Sequence, residues 1–328
     1  MTGIDDIIAV SKAARPRIVL AEGEDRRVAE AAVRAQKVGL AEVIIVGDAA
    51  KIAALKIDGI DAVEIIDPAS SDRLGAYSAA YHDLRKHKGV DAGAARQAML
   101  SPLGFAAMMV RRGDADGTIG GAVATTGETV RTALQIVGMA EGGKIVSSFF
   151  LMLLAAPYHQ PVVFADCGLV IEPDANELAE IAIASSASFT ALTGQTPRAA
   201  MLSFSTKGSA KAPSVDRTNE ALQLVRAQAP TLAIDGELQF DAAFVPDVAA
   251  RKAPGSPIEG AANVFIFPNL DAGNIGYKIA QRLGGATALG PILQGLAKPA
   301  NDLSRGCSAD DVYQMIAVTG AQAAAQTA

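Results

Sequence analysis

The chain has 328 residues, of which 50% are hydrophobic and 20% are charged, and its formal net charge is −6. The large apolar fraction excludes an intrinsically disordered chain, and the length suggests two domains. The acidic balance argues against a nucleic-acid partner, because such a partner requires a basic face. Two cysteines, Cys167 and Cys307, cannot form a disulfide framework, so we expect a reducing, cytoplasmic location.

Short, continuous apolar runs recur along the chain and predict buried strands of parallel sheets. Amphipathic patterns lie between them, as at 174–192, where Asp174 and Glu177 have the spacing of a capping box. This alternation predicts an α/β fold with two domains and mostly parallel sheets. The predicted strands are 17–21, 43–46, 63–66, 117–120, 162–165, 199–204 and 264–267.

The longest apolar run, FFLMLLAAP at 149–157, is interpreted as a helix in the core. It has about half of the ~20 apolar residues that a membrane-spanning helix requires, so we expect no membrane partner. Glycines near this run and a turn-rich region at 284–295 indicate the domain boundaries. We expect residues 1–142 and 296–328 to form the first domain and 143–295 the second.

The motifs for common bound cofactors are incomplete or missing. No G-x-G-x-x-G stands between a strand and a helix, as a dinucleotide site would require. GMAEGGKI at 138–145 follows the phosphate-loop pattern up to Lys144, but Ile145 replaces the hydroxyl that would hold magnesium. The histidines and cysteines lack metal-ligand spacing. We therefore expect no metal and no permanently bound cofactor.

A polar stretch, GGAVATTGETVR at 120–131, follows the fourth predicted strand. Thr125 and Thr126 precede a predicted helix that contains Arg131. Backbone N–H groups at such a helix start attract phosphate or carboxylate. A tight strand–helix turn explains the same residues, and the stretch by itself leaves both interpretations open.

A second polar stretch, PNLDAGNIGYK at 268–278, follows the last predicted strand. Asn269 or Asn274 could each cap the helix that begins here. Their joint presence with Asp271 favours a polar patch that faces a cleft, where we expect Asn269 and Asn274 to contact a substrate.

A third polar stretch, GLAKPANDLSRGCSADD at 295–311, forms a predicted loop that ends in a helix. It contains Ser304, Arg305 and Asp311. Ser308 and Asp311 have capping-box spacing, so on spacing alone Asp311 is a helix cap.

These stretches together resemble the phosphate acetyltransferase family, from about Arg17 to Ala323. The resemblance implies the two-domain fold of isocitrate and isopropylmalate dehydrogenases, with the active site in the interdomain cleft. It also implies a homodimer, for which we expect 143–295 to supply the contacts. The segments that carry this resemblance occur in the same order as in the family. They are RIVLAEGE at 17–24, RKHKG at 85–89, GAVATTGETVR at 121–131, PNLDAGNIGYKIAQRL at 268–283 and GPILQGLAKPANDLSRGCS at 290–308.

The resemblance implies a reversible reaction in which acetyl phosphate and coenzyme A give acetyl-CoA and phosphate. Coenzyme A is thus a substrate in acetate metabolism rather than a cofactor. The family's catalytic serine, arginine and acid fall on Ser304, Arg305 and Asp311. Its arginines linked to coenzyme A fall on Arg85 and Arg131.

One position departs from the family pattern. The family often has a polar residue where this chain has Ala124. A phosphate contact from that side chain is then missing, so backbone groups or Thr125 and Thr126 would have to supply it.

The expected chemistry is attack by the coenzyme's thiolate. A free thiol has a pKa near ~8.5 and an aspartic acid near ~3.9, so proton transfer to an ordinary Asp311 is uphill by about 6 kcal/mol. Burial of the acid and stabilisation of the anion by Arg305 and Ser304 would have to close this gap. We expect direct transfer in a ternary complex without an acyl-enzyme.

Two other functions fit the same residues. A phosphate butyryltransferase performs the same chemistry on a longer acyl chain, and the sequence does not define the acyl pocket. A non-catalytic domain that senses acetyl-CoA belongs to another class, and the retained Ser304, Arg305 and Asp311 argue against it. A dehydrogenase is suggested by the shared fold alone, which does not determine function.

Overall fold

A computed structural model describes residues 3–327 of the chain. Contacts divide it into two compact units. The first unit comprises Ile4–Gly142 and the residues from Leu296 onward, and the second comprises Gly143–Gly295.

Strands and helices alternate through both units. The strands are β1 (Arg17–Leu20), β2 (Glu42–Val46), β3 (Glu64–Ile66), β4 (Gly117–Gly120), β5 (Ser147–Leu153), β6 (Pro161–Ala165), β7 (Arg198–Leu202), β8 (Ala233–Leu238), β9 (Val264–Ile266), β10 (Thr287–Gln294) and β11 (Ala300–Asp302). The helices are α1 (Ile4–Ala14), α2 (Arg26–Lys37), α3 (Ala49–Ala54), α4 (Leu74–Arg85), α5 (Ala92–Leu100), α6 (Pro102–Arg112), α7 (Thr126–Ile136), α8 (Ala175–Thr193), α9 (Pro213–Gln228), α10 (Phe240–Phe244), α11 (Pro246–Lys252), α12 (Leu270–Arg282) and α13 (Ala309–Thr327).

The first unit contains a five-stranded sheet in the order β11-β4-β1-β2-β3. Every pair of neighbouring strands in it is parallel. β1 and β4 are buried almost throughout, which explains their continuous apolar sequences. Because the strands are parallel, the loops that follow β1, β4 and β11 leave the same edge of the sheet.

The second unit contains a six-stranded sheet in the order β10-β5-β6-β9-β7-β8. The strands from β6 to β8 pair in parallel, whereas β5 is antiparallel to both of its neighbours. The sheet packs on an aromatic core, in which the Phe164 and Phe265 rings lie 5.5 Å apart. Full burial of such a side chain stabilises the fold by roughly 1.5–3 kcal/mol.

The run at 149–157 is a correction to the sequence prediction, because it forms strand β5 and the turn after it rather than a core helix. Both faces of β5 are covered, so its apolar residues are continuous and show no alternation. A buried helix segment would have the same pattern. In the turn-rich region at 284–295 the chain forms β10, whose pairing with β5 shifts register between Leu289 and Ile292.

Local signals at helix ends agree with the structure. Asp174 caps α8 and forms the predicted capping box with Glu177, and Gly194 ends this helix with a φ of 67°.

The phosphate-loop-like segment 138–145 is followed by strand β5 rather than by a helix. Within residues 3–327, we find no helix that combines the length and the apolar character needed to span a membrane.

Candidate functional site

Three loops of the first unit lie together at the carboxyl edge of its sheet. They follow β1, β4 and β11, which are neighbours in the sheet. The backbone N–H of Leu303 donates to Gly120 O at 2.8 Å, and that of Ala21 donates to Ile119 O at 2.9 Å. Ligands of parallel α/β sheets bind at this edge, so these loops are the candidate site.

The buried carboxylate of Glu22 fills the loop after β4. It accepts hydrogen bonds from four successive backbone N–H groups, those of Gly121, Ala122, Val123 and Ala124, at 2.6–3.3 Å. Glu22 itself has a φ of 63°, in the left-handed region that a residue with a side chain rarely adopts. The chain's own carboxylate therefore occupies the N–H groups of residues 121–124, and anion binding at the start of the helix that follows stays a prediction.

Thr125 caps helix α7 in a capping box with Glu128. The Thr125 hydroxyl and backbone N–H both donate to Glu128 Oε2, at 2.8 and 2.9 Å. The hydrogen bonds from the Thr125 backbone and hydroxyl lower the pKa of Glu128, and the charges of Arg131 and Arg305 lower it further. Arg131 and Arg305, which are distant in sequence, thus act on the same carboxylate.

The loop after β11 exposes Ser304 and Arg305 and leads into α13. The Ser304 hydroxyl accepts the backbone N–H of Gly306 at 3.2 Å. Asp311 is also exposed, and its Oδ2 accepts the backbone N–H and hydroxyl of Ser308 at 2.7 and 2.8 Å. The predicted cap is therefore present, and it leaves Oδ1 of Asp311 outside these two bonds.

Arg27, in the first turn of α2, joins these loops. Its guanidinium donates to both carboxylate oxygens of Asp25, at 2.8 and 2.9 Å. It also donates to the carbonyl oxygens of Arg305, Cys307 and Ala122, at 2.8–2.9 Å. The hydrogen bond from Arg27 holds the pKa of Asp25 below its ordinary value, although partial burial opposes this.

Asp302, at the end of β11, is buried without a hydrogen-bond partner of normal geometry among the described residues. Burial raises its pKa to about 6, and the charge of Glu22 adds to this rise, whereas the hydroxyls of Thr126 and Thr129 oppose it. Gly121 makes the close approach possible, because a Cβ at this position would lie 2.1 Å from Asp302 Oδ1.

A cavity of about 610 Å³ opens beside the loops that follow β1 and β4. Carboxylates dominate its polar lining, so phosphate groups are disfavoured there. The lining residues are Glu22, Glu24, Asp25, Ser101, Pro102, Leu103, Val123, Ala124 and Glu128.

Arg85 is the last residue of α4 in the same unit. Its Nε is buried and has no hydrogen-bond partner within residues 3–327. Such an unsatisfied buried donor is costly, and the contact of Arg85 with coenzyme A stays a prediction.

Asn269 and Asn274 belong to the second unit, at the start of α12. Asn269 caps this helix by accepting the Ala272 N–H at 3.1 Å and donates to Glu172 at 2.9 Å. Asn274 donates to Cys167 O at 3.1 Å and accepts from Lys278. Both side chains therefore have structural partners, and their proposed contacts with substrate stay a prediction.

The two cysteines are free and buried. Burial raises the pKa of Cys167 well above its ordinary value, which does not favour a nucleophilic thiolate. No group of three or more histidine, cysteine or acidic side chains that could hold a metal ion occurs in the described part of the chain.

Comparison with known proteins identifies the family. A family model described as phosphate acetyl/butaryl transferase matches residues 3–320. A phosphate acetyltransferase of Paracoccus denitrificans is 53% identical over 325 residues, which cover 98% of this chain and 99% of the relative. The chain belongs to the phosphate acetyl/butaryl transferase family. It is thus an enzyme of the acyltransferase class, as the resemblance implied.

Solved structures of this family have the same fold. A phosphotransacetylase from Streptococcus pyogenes matches with a TM-score of 0.91 and 44% identity, over 98% of this chain and 99% of that one. A branched-chain phosphotransacylase from Enterococcus faecalis V583 shares the fold at 19% identity, with a TM-score of 0.70 and coverage of 94% and 99%. The expected α/β fold with mostly parallel sheets is confirmed.

Sequence reasoning did not single out three residues of this candidate site, Glu22, Arg27 and Asp302. Glu22 and Arg27 lie in or beside the segment at 17–24 that carries the family resemblance, but nothing in that segment indicates their partners. Arg27 contacts residues 278 and 280 positions further along the chain. Asp302 stands at the end of a short strand that the apolar pattern did not reveal.

Proposed function

We propose that this chain catalyses the reversible reaction of acetyl phosphate and coenzyme A to acetyl-CoA and phosphate. The observation that carries the proposal is the presence of Ser304, Arg305 and Asp311 on one exposed segment at the carboxyl edge of the first unit's sheet. Family membership and the names of the relatives support the choice of substrates.

In the proposed mechanism the coenzyme's sulfur attacks the acetyl carbon directly in a ternary complex. Asp311 accepts the thiol proton, the new S–C bond forms, and the C–O bond to phosphate breaks. Arg305 binds the departing phosphate, and Ser304 donates to the oxyanion that develops on the carbonyl oxygen. Both contacts favour the transition state most when substrate binding excludes water.

The exposure of Asp311 sets a requirement on this mechanism. Without substrate, the carboxylate is exposed, and transfer of a proton from an ordinary thiol to an ordinary aspartate costs about 6 kcal/mol. Bound coenzyme A would bury the carboxylate and so raise its pKa. Positioning of both substrates would supply much of the remaining rate enhancement.

We propose Arg85 and Arg131 as the groups that bind the phosphates of coenzyme A. The buried, unsatisfied Nε of Arg85 supports an anionic partner. The carboxylate-lined cavity beside Ala124 and Glu128 does not suit phosphate, and an uncharged chain with amide groups suits it better. Thr125 and Thr126 remain proposed contacts, with the hydroxyl of Thr125 already bound to Glu128.

The decisive experiment measures thioester formation from coenzyme A with acetyl, propionyl or butyryl phosphate. We expect the highest kcat/KM on acetyl phosphate, and a preference for butyryl phosphate would instead support a phosphate butyryltransferase. Asp311→Asn should lower turnover by ~10²-fold or more. The neighbouring Asp310→Asn is the matched control, because Asp310 is an exposed acid that pairs with Arg34. An inactive parent would favour the acetyl-CoA-sensing alternative.

We propose that the chain forms a homodimer through the second unit. Helix α12 supports this, because Ile275, Ile279 and Leu283 lie at fourth-residue spacing and are 54–86% exposed. Leu283→Glu should convert a dimer to a monomer in light scattering, whereas the exposed Val38→Glu in the first unit should not. The cytoplasmic location stays a prediction from the two free cysteines.

A further inference from the structure

The guanidinium of Arg27 is fully used within the protein. Arginine has five N–H donors, and each of them makes a hydrogen bond here. Two go to the Asp25 carboxylate, and three go to the carbonyl oxygens of Ala122, Arg305 and Cys307. No donor is left to bind a substrate, so the hydrogen bonds of Arg27 act on the backbone that it holds.

The carbonyls that Arg27 binds come from two loops. Ala122 lies in the loop after β4, which Glu22 fixes from the other side. Arg305 and Cys307 flank Gly306 in the exposed segment that follows β11. Within the segment, Ser304 also contacts Gly306 and Cys307. Among the described residues, we find no further hydrogen bond that holds the backbone of 304–307.

We propose that Arg27 is a positioning residue for the reaction, which holds the segment 304–307 in place and so fixes Ser304 and Arg305 relative to the start of α7. This inference rests on the function proposed above for Ser304 and Arg305. Asp25 sets the orientation of the guanidinium, since its two carboxylate oxygens bind Nε and Nη2 along one planar edge.

Arg27→Lys tests whether Arg27 positions the segment, because lysine keeps the positive charge but cannot form the five hydrogen bonds of the planar guanidinium. We expect kcat to fall about 10- to 100-fold, the loss typical of a small misplacement of catalytic groups. The KM for coenzyme A should stay unchanged, since Arg85 and Arg131 are untouched. Arg26→Lys is the matched control, because Arg26 begins the same helix but contacts Glu30 and Leu55 O instead.

A second measurement reports the order of the segment without any substrate. The Cys307 thiol is 7% exposed, and its reaction with a thiol reagent requires the segment to open. In Arg27→Lys we expect labelling of Cys307 to be about tenfold faster or more, as the loss of charge-assisted hydrogen bonds predicts. Peptide masses distinguish Cys307 from the fully buried Cys167, whose labelling should not change.

If Arg27→Lys does not fold, Asp25→Asn provides the same test, because it weakens the anchor of the guanidinium and keeps the arginine. A folded variant with parental kcat, or with parental labelling of Cys307, would overturn the proposal. So would a loss of activity that merely follows a lower melting temperature. An inactive parent would refute the proposed function, but the labelling comparison would still test whether Arg27 holds the segment.

Discussion

Ser308 and Asp311 bind each other across the first turn of α13. The backbone N–H and hydroxyl of Ser308 donate to Asp311 Oδ2 at 2.7 and 2.8 Å, and the Asp311 N–H donates back to Ser308 Oγ at 3.2 Å. The carboxylate that we propose as the general base is therefore also a helix cap. The cap contributes to the stability of the fold, whereas the base would contribute to turnover, so the two roles can be separated by experiment.

Asp311→Asn and Ser308→Ala separate the cap from the base. Loss of a cap costs about 0.5–2 kcal/mol of stability, so both variants should unfold at a lower urea concentration. Only Asp311→Asn should also lose turnover, by ~10²-fold or more, because Ser308→Ala keeps the carboxylate. Equal losses of turnover in both folded variants would show that Asp311 acts through the helix start alone.

Arg305→Gln should both slow turnover and raise the KM for acetyl phosphate. A guanidinium can clamp phosphate through two parallel hydrogen bonds, which a glutamine cannot reproduce. Steady-state kinetics with each substrate varied in turn checks this, and the KM for coenzyme A serves as the internal control. A rise confined to the KM for coenzyme A would show that Arg305 contacts coenzyme A rather than acetyl phosphate.

Arg85→Gln and Arg131→Gln should mainly weaken the binding of coenzyme A. If one of them binds the 3′-phosphate, its defect should become smaller with 3′-dephospho-coenzyme A, because that analogue lacks the group that the variant cannot bind. Arg112→Gln, an exposed arginine at the end of α6, is the control. Defects of the same size with both coenzymes would assign Arg85 and Arg131 to other parts of the substrate.

Asp302→Asn should change how stability depends on pH. Burial raises the pKa of Asp302 to about 6 in the folded protein, above the ordinary value of 3.8 for an aspartic acid. The group's favourable contribution is therefore present below about pH 4 and is lost as the pH rises through about 6. The parent should lose up to about 3 kcal/mol of unfolding free energy relative to Asp302→Asn across this window.

Urea unfolding of parent and variant on either side of this window measures the difference. A fixed cost of burying the new amide would shift both measurements equally and cancels in the comparison. The control is Asp310→Asn, at an exposed position. Its unfolding free energy should differ from that of the parent by nearly the same amount on both sides of the window. A difference between parent and Asp302→Asn that stays constant with pH would mean that Asp302 ionises normally.

Strands β1 to β4 of the first unit could be predicted because each is a short, continuous run of mostly apolar residues. The capping signals at Asp174 and Glu177 were equally local, since all their atoms lie within one helical turn. The run at 149–157 was assigned to the wrong element because burial on both faces removes the periodicity that distinguishes strand from helix. β8 and β11 contain buried acids and amides, so hydropathy did not mark them as strands.

The candidate site could be predicted only where the family resemblance named its residues. Spacing alone made Asp311 a cap, which the structure confirms, and gave no sign of a base. The bonds of Glu22 span 99–102 positions, and those of Arg27 span up to 280. Such contacts depend on the order of strands in the sheet, and local sequence patterns do not encode that order.

The side chain of Glu22 also affects how the protein would bind its substrates. Because the Glu22 carboxylate already binds the backbone N–H groups of the loop after β4, we expect this loop to be ordered before any ligand binds and to lose little conformational entropy on association. Incoming phosphoryl groups must then be attracted by guanidinium side chains. Since these remain charged at every physiological pH, substrate capture should be sensitive to ionic strength, and its pH dependence should follow the ionisation of the substrates' own phosphates.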